Sequence, residues 1–152
     1  MSSRRILVID DESDLRRAVR EMLRALGYSS IGAAGGTEGL DIFRQQADTV
    51  SLILLDAHMP DLEGVDMLRR IRETAPDIPV VFITGDPGGI RPQDREGPGS
   101  VEILGKPFGM KELGRVVREA LEVHSGGEDA QSSEGSTSTM GFPASTRSPS
   151  EK

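Results

Sequence analysis

The sequence predicts an α/β fold: a doubly wound, five-stranded parallel sheet with helices on both faces. Three observations predict it. Short aliphatic runs recur at Ile6-Leu7-Val8-Ile9, Leu52-Ile53-Leu54-Leu55 and Val80-Val81-Phe82-Ile83, with no polar break inside any of them. Such runs suit strands buried on both faces, as in a parallel sheet. Segments with apolar residues at helical spacing lie between the runs, giving the strand–helix alternation of right-handed crossover units. Each run also stops at polar residues, at the strand ends where open α/β sheets gather their ligands.

Taken in order, Arg5 to Ile9 forms the first strand and ends in Asp10-Asp11. Ser13 is placed to cap the first helix. Leu15, Ala18, Val19, Met22, Leu23 and Leu26 make its apolar face, and Gly27 stops it. Arg16, Arg17, Arg20 and Arg24 lie mostly off that face and read as solvated charges. Tyr28 to Ala33 is a weaker second strand. Gly35-Gly36-Thr37 marks a turn, with Thr37 as N-cap of a short helix carrying Leu40, Ile42 and Phe43. The central strand follows and ends at Asp56. Val65, Leu68 and Ile71 mark a third helix, closed by Pro76 and Pro79. The fourth strand ends at Thr84-Gly85-Asp86. Val101 to Leu104 is the fifth, ending at Gly105-Lys106-Pro107, and Leu113, Val116, Val117, Ala120 and Leu121 make the last helix.

One crossover breaks the pattern. Between Asp86 and Ser100 a helix is due, but Pro87-Gly88-Gly89-Ile90-Arg91-Pro92 and Gly97-Pro98-Gly99 stand there. Gly costs about 1 kcal/mol and Pro about 3 kcal/mol against Ala inside a helix. A loop with one helical turn is expected, and with it a degenerate or missing fourth helix. Residues 1–124 form the folded domain. Residues 125–152 are rich in Ser, Gly, Thr and Pro without periodicity, which predicts a disordered tail.

The 152 residues are 36% hydrophobic and 28% charged, ordinary for a globular domain, and the formal net charge is −7. With no Cys, disulfides and thiolate metal sites are excluded. No apolar run approaches the ~20 residues of a membrane span. An acidic chain without a dense basic cluster argues against nucleic-acid binding. A cytoplasmic protein, with neither nucleic acid nor membrane as partner, is expected.

The strand ends carry the chemistry. A parallel sheet places Asp10-Asp11, Asp56, Thr84 and Lys106 on one edge. Three carboxylates together repel unless a cation joins them. Oxygen donors without a Cys or a clustered His suit a hard ion such as Mg²⁺. A lysine and a hydroxyl beside it suit a phosphoryl group, and one carboxylate is a candidate nucleophile. Each residue also has an ordinary reading: Asp10-Asp11 as a helix cap, Asp56 as the start of a turn, Thr84 as a strand end, Lys106 as a solvated charge. Their joint position on successive strand ends favours the chemical reading.

At these residues the chain resembles the receiver domains of response regulators, the CheY-like family of two-component signalling. The matching residues are Asp10-Asp11, the Asp56-x-x-Met59-Pro60 run with Gly64 beyond it, Thr84-Gly85, and Lys106-Pro107-Phe108. The resemblance spans about residues 4 to 123, and the wording of the last two motifs is similar to receivers of the FixJ type. It implies a flavodoxin-like strand order 2-1-3-4-5. It implies that Asp56 accepts a phosphoryl group from a histidine of a sensor kinase or of a histidine phosphotransfer protein. It assigns Mg²⁺ to Asp10, Asp11, Asp56 and the backbone carbonyl of His58. It gives phosphate binding and switching to Thr84, Gly85, Lys106 and Pro107, with the Lys106–Pro107 bond cis. His58 and Asp86 fall at positions that tune dephosphorylation.

Two departures stand out. The switch position, aromatic in most receivers, is Ile103, and the fourth helix that often carries output contacts is lost. The expected function is a single-domain response regulator, not a conventional enzyme. It would perform only phosphotransfer and autodephosphorylation on itself and signal to a downstream protein by contact. Alternatives are a degenerate receiver serving as a scaffold, a phosphate sink or shuttle in a phosphorelay, and a small Mg²⁺-dependent phosphatase. The last lacks its general acid, since His58 stands two residues after Asp56.

Overall fold

A computed structural model of the chain describes residues 4–97 and 99–133. In order, the main elements are β1 (Arg5–Ile9), α1 (Ser13–Ala25), β2 (Ser29–Ala33), α2 (Gly36–Gln46), β3 (Val50–Asp56), α3 (Gly64–Thr74), β4 (Val80–Thr84), β5 (Val101–Gly105) and α4 (Met110–Ser133). All strand pairs are parallel, in the order β2-β1-β3-β4-β5. This is the expected fold class and order. The whole sheet lies in the compact unit that ends at Leu121. Among the described residues no helix is long and apolar enough to cross a membrane.

The aliphatic runs sort by the two-residue period of a strand. Leu7, Ile9, Ile53, Leu55, Val80 and Phe82 join Phe43 of α2 and Met67 and Ile71 of α3 in one core. Ile6, Val8, Leu52, Leu54, Val81 and Ile83 join Val19 and Leu23 of α1 and Leu113 and Val117 of α4 in the other. β3 holds the centre because all seven of its residues are buried, so neither of its faces can be given to solvent. Fully burying one such side chain contributes about 1.5–3 kcal/mol.

The β4–β5 crossover has no α-helix. It makes two short 3₁₀ turns, Pro87–Gly89 and Pro92–Arg95, with Ile90 buried between them as the one apolar anchor. Arg72 does part of the missing helix's work. Its guanidinium donates to the carbonyls of Ala75 and Ile78 (3.3 and 2.5 Å) and to that of Ser100 (3.3 Å). It thereby ties together the starts of β4 and β5.

Several local expectations are corrected. α1 is capped by Glu12 and α2 by Gly35, and neither makes a side-chain capping bond, so Ser13 and Thr37 are not the caps. For α2 the job passes to Asp61, whose carboxylate accepts from the Gly36 and Thr37 amides at 3.1 and 3.0 Å. These two backbone bonds hold the Asp61 carboxyl below its ordinary value. Arg16 and Arg20 are not simply solvated: they donate to the Asp10 carbonyl (2.7 Å) and to the Ser30 hydroxyl and carbonyl (3.0 and 3.1 Å). α4 continues through 125–133, the first part of the stretch expected to be a tail. Extending a formed helix avoids the cost of nucleation, so it passes Gly126-Gly127 at about 1 kcal/mol each. The rest of that stretch lies outside the described residues.

Candidate functional site

The same local device sets three strand ends. The Asp10 carboxylate accepts the Glu12 amide (2.9 Å), the Asp56 carboxylate accepts the His58 amide (3.1 Å), and the Thr84 hydroxyl accepts the Asp86 amide (3.0 Å). Each is a side chain bonding the backbone two residues on, the turn chemistry natural to Asp and Thr. The turn reading of Asp56 is therefore correct, and the turn fixes the direction of its carboxylate. The Asp10 amide donates to the Ala33 carbonyl and the Ala57 amide to the Ile83 carbonyl, each at 3.1 Å. These bonds continue the sheet past its last residues and hold the strand ends level.

Asp10 and Asp56 are buried and Asp11 is exposed. One carboxylate oxygen from each of the three lies within 4.8 Å of the others. Lys106 is held from the far side. Its amide donates to the Thr84 carbonyl at 2.8 Å, and its Nζ stands 4.0 Å from Asp56 Oδ1. At that separation the ammonium neutralises part of the cluster without closing the space between. Thr84 spends its hydroxyl oxygen on the Asp86 amide, which leaves its single O–H to donate elsewhere.

Burial, and after it the neighbouring Asp56 carboxylate, push the Asp10 carboxyl up to about 6 against the lowering effect of the Glu12 amide. Two buried carboxylates sharing one space are costly as anions and stable with a cation between them. The donor set is all oxygen, with two of its three carboxylates buried and pre-oriented by backbone bonds, which fits a hard divalent ion such as Mg²⁺.

The other predicted residues sit around this centre. Gly85 and Asp86 are exposed beyond β4. The Lys106–Pro107 peptide is cis. His58 meets Asp56 through its amide, while its ring Nδ1 lies 3.3 Å from Glu63 Oε1. The imidazole is thus engaged by Glu63. Ile103 is half-buried, level with Phe82 in the β4–β5 register and packed on the α2–α3 core.

A sequence profile of the response regulator receiver domain matches residues 6–118. The chain belongs to this receiver family. It is 31% identical over 118 residues to the receiver protein CpdR of Brucella abortus, covering 78% of this chain and 97% of that one. It is 32% identical over 117 residues to the sensor kinase CckA of the same organism, but spans only 12% of that protein. It spans 55% of the response regulator MprA of Mycobacterium avium. Among solved structures, a receiver domain from Clostridium thermocellum matches with a TM-score of 0.73 and 31% identity, covering 80% of this chain and 97% of that one. A CheY-like receiver from Methanospirillum hungatei matches with a TM-score of 0.75 and 25% identity, over 83% and 99% of the two chains.

Within this receiver domain, Gly64 of the motif has a steric reason. A Cβ there would lie 2.9 Å from Ala57 Cα, 2.9 Å from Phe82 Cε1 and 3.0 Å from the Ala57 carbonyl oxygen. That carbonyl also accepts the Gly64 amide at 2.9 Å. The start of α3 is thus pressed onto the residue after Asp56, and backbone cannot yield as a flexible side chain could. Gly64→Ala is expected to lower stability by about 1–3 kcal/mol in urea unfolding, with the slope unchanged.

Two positioning residues escaped the sequence reading. Asp61 ties the loop after β3 to α2, and Arg16 holds the Asp10 carbonyl. For Asp61 the only local signal was a Pro-Asp turn, since its partners lie more than 20 residues earlier. Arg16 carried no local signal, since its partner, the Asp10 carbonyl, comes within reach only once α1 is packed beside β1.

Proposed function

We propose that this receiver domain accepts a phosphoryl group on Asp56 from a phosphohistidine of a sensor kinase or phosphotransfer protein, and signals through altered protein contacts. One observation carries the reading: carboxylate oxygens of Asp10, Asp11 and Asp56 within 4.8 Å of one another, with Lys106 Nζ 4.0 Å from Asp56 Oδ1. Asp56 is the nucleophile because it is the carboxylate shared by the acidic cluster and the lysine. An Asp56 oxygen forms the new P–O bond as the P–N bond breaks, and the electron pair leaves with the imidazole nitrogen. Lys106 and the Thr84 hydroxyl are placed to receive the phosphoryl oxygens. Asp10, Asp11 and Asp56, with the His58 carbonyl, would hold Mg²⁺, which when bound neutralises the charge gathering on the phosphoryl oxygens.

His58 and Asp86 border this space, and a role in hydrolysis of the acyl phosphate belongs to the same proposal. Ile103, half-buried and without a polar tip, would transmit the change by packing alone. Action in the cytoplasm through a downstream protein completes the reading.

Beryllofluoride with Mg²⁺, a stable phosphoryl mimic, tests it. Amide shifts are expected at Asp10, Asp56, Thr84 and Lys106, spreading along β5 and into 87–99. A spectrum indifferent to the mimic at saturating Mg²⁺ would reduce the cluster to a structural feature and leave the scaffold reading.

A further inference from the structure

A second cluster of charge lies away from the carboxylates. A groove of about 600 Å³ runs between α1 and the edge strand β2, lined by Arg16, Arg17, Arg20, Arg24, Tyr28 and Ser30 among others. Four arginines face one glutamate there, in a chain whose net charge is −7. The volume falls in the range of small-molecule sites, roughly 300–1,000 Å³.

The arginines are arranged rather than merely abundant. Arg16, Arg20 and Arg24 follow each other at i, i+4 and i+8, so their side chains share one stripe of α1, and like charges so placed repel. The cost is small for each pair, and an anion joining the row would relieve it. Two of the three guanidiniums are also tethered. Arg16 is held by the Asp10 carbonyl at 2.7 Å, and Arg20 by the Ser30 hydroxyl and carbonyl at 3.0 and 3.1 Å.

Gly32 makes room for them. A Cβ on Gly32 would lie 3.1 Å from Arg20 Cδ, 3.2 Å from Arg20 Nη1 and 3.3 Å from Arg16 Cδ. The two side chains lie across the bare backbone of β2 with part of their rotamer freedom already spent, and each has N–H donors beyond those tethers. The planar fork of arginine matches phosphate oxygens in pairs. Cβ atoms one turn apart on α1 are about 5–6 Å from each other, so the row carries more cationic heads than one phosphate needs.

We propose that the α1–β2 groove is an anion site for a small phosphorylated ligand carrying two linked phosphoryl groups, as in a nucleoside diphosphate. Arg16, Arg20 and Arg24 take the phosphoryl oxygens, and Tyr28 offers an aromatic wall for a planar ring. Because Arg16 also holds the main chain of Asp10, the groove and the carboxylate cluster share a residue, and occupancy of one is transmitted to the backbone of the other.

The test is an amide-NMR titration of the full chain, without Mg²⁺, using inorganic pyrophosphate and then ADP. Saturable shifts are expected at Ser29, Ser30, Gly32 and along α1, and they should persist in Asp56→Ala. Arg20→Gln and Arg24→Gln should each weaken binding roughly tenfold, the equivalent of one lost charge-assisted contact. Arg24→Gln guards against a folding artefact, since its exposed side chain lies outside both tethers. Tighter binding of ADP than of pyrophosphate would assign the ring to Tyr28, and equal binding would leave the phosphates as the recognised element. Shifts confined to the Asp10, Asp56, Thr84 and Lys106 region, or affinity unchanged in both variants, would overturn the site. So would a glutamate hexapeptide that binds where pyrophosphate does not, since that identifies a surface for acidic protein segments.

Discussion

Asp56→Asn protein incubated with acetyl phosphate and Mg²⁺ is expected to take up no phosphoryl group, while wild type gains one acid-stable, base-labile adduct by intact mass. The substitution keeps the shape of the side chain and the acceptor for the His58 amide at 3.1 Å, so the turn after β3 should survive. What it removes is the anionic oxygen that the proposed transfer requires, and a neutral amide oxygen is a poor nucleophile in its place. The loss should therefore be at least on the order of a hundredfold in rate, or about 2.7 kcal/mol or more in the barrier. Slow residual uptake mapping to Asp10 or Asp11, whose oxygens share the cluster, would still agree with the site as drawn. Undiminished uptake, or an adduct outside the cluster, would refute Asp56 as the acceptor.

Asp10→Asn should separate stability from metal binding in opposite directions. Asp10 titrates at about 6 in the folded chain against 3.8 for an ordinary aspartate. Burial is the main cause, with the Asp56 carboxylate adding to it. Between these values the folded state binds more proton than the unfolded state, so stability falls as pH rises from about 4 to about 6. Below that window the group contributes no penalty; above it the penalty is full. The shift corresponds to about 3 kcal/mol as an order of magnitude.

Asn carries no charge and still accepts the Glu12 amide. In EDTA at pH 7.5 the variant should thus unfold at higher urea than wild type, and its advantage should vanish near pH 4. Its Mg²⁺ affinity should fall on the order of a hundredfold, since a charged buried ligand is gone. Mg²⁺ should raise the melting temperature of wild type and leave that of the variant almost unmoved. A variant less stable than wild type at pH 7.5 would mean that the buried Asp10 carboxylate is not the strained group argued above.

Both experiments address residues that the sequence pattern marks out. Asp10, Asp56, Thr84 and Lys106 announce themselves because each ends a run of aliphatic residues, and a buried strand has only its ends to offer to solvent. The parallel sheet is legible for a related reason. Leu52 to Leu55 has no polar face, so only a strand covered on both sides can accept it. The absent helix in the β4–β5 crossover was equally plain, because Pro and Gly act on the backbone locally, whatever surrounds them.

Other features depend on neighbours far along the chain. Asp61 looks like a turn residue and becomes the cap of α2, because the loop after β3 passes over the helix start. Arg16 and Arg20 look like solvated charges and become clamps on carbonyls of other segments, as does Arg72. Gly64 looks permissive and is in fact obligatory, since Ala57 and Phe82 occupy the space a Cβ would need. The fold class, the edge where the acidic and basic groups meet, and the place where a helix fails are thus all legible in the chain. All of these follow from hydrophobic period and from backbone chemistry within a few residues. Which charges are tethered, how far Lys106 stands from Asp56, and the open arginine groove beside β2 are set by packing. Those depend on distances between segments remote in sequence, and a local pattern carries no information about such distances.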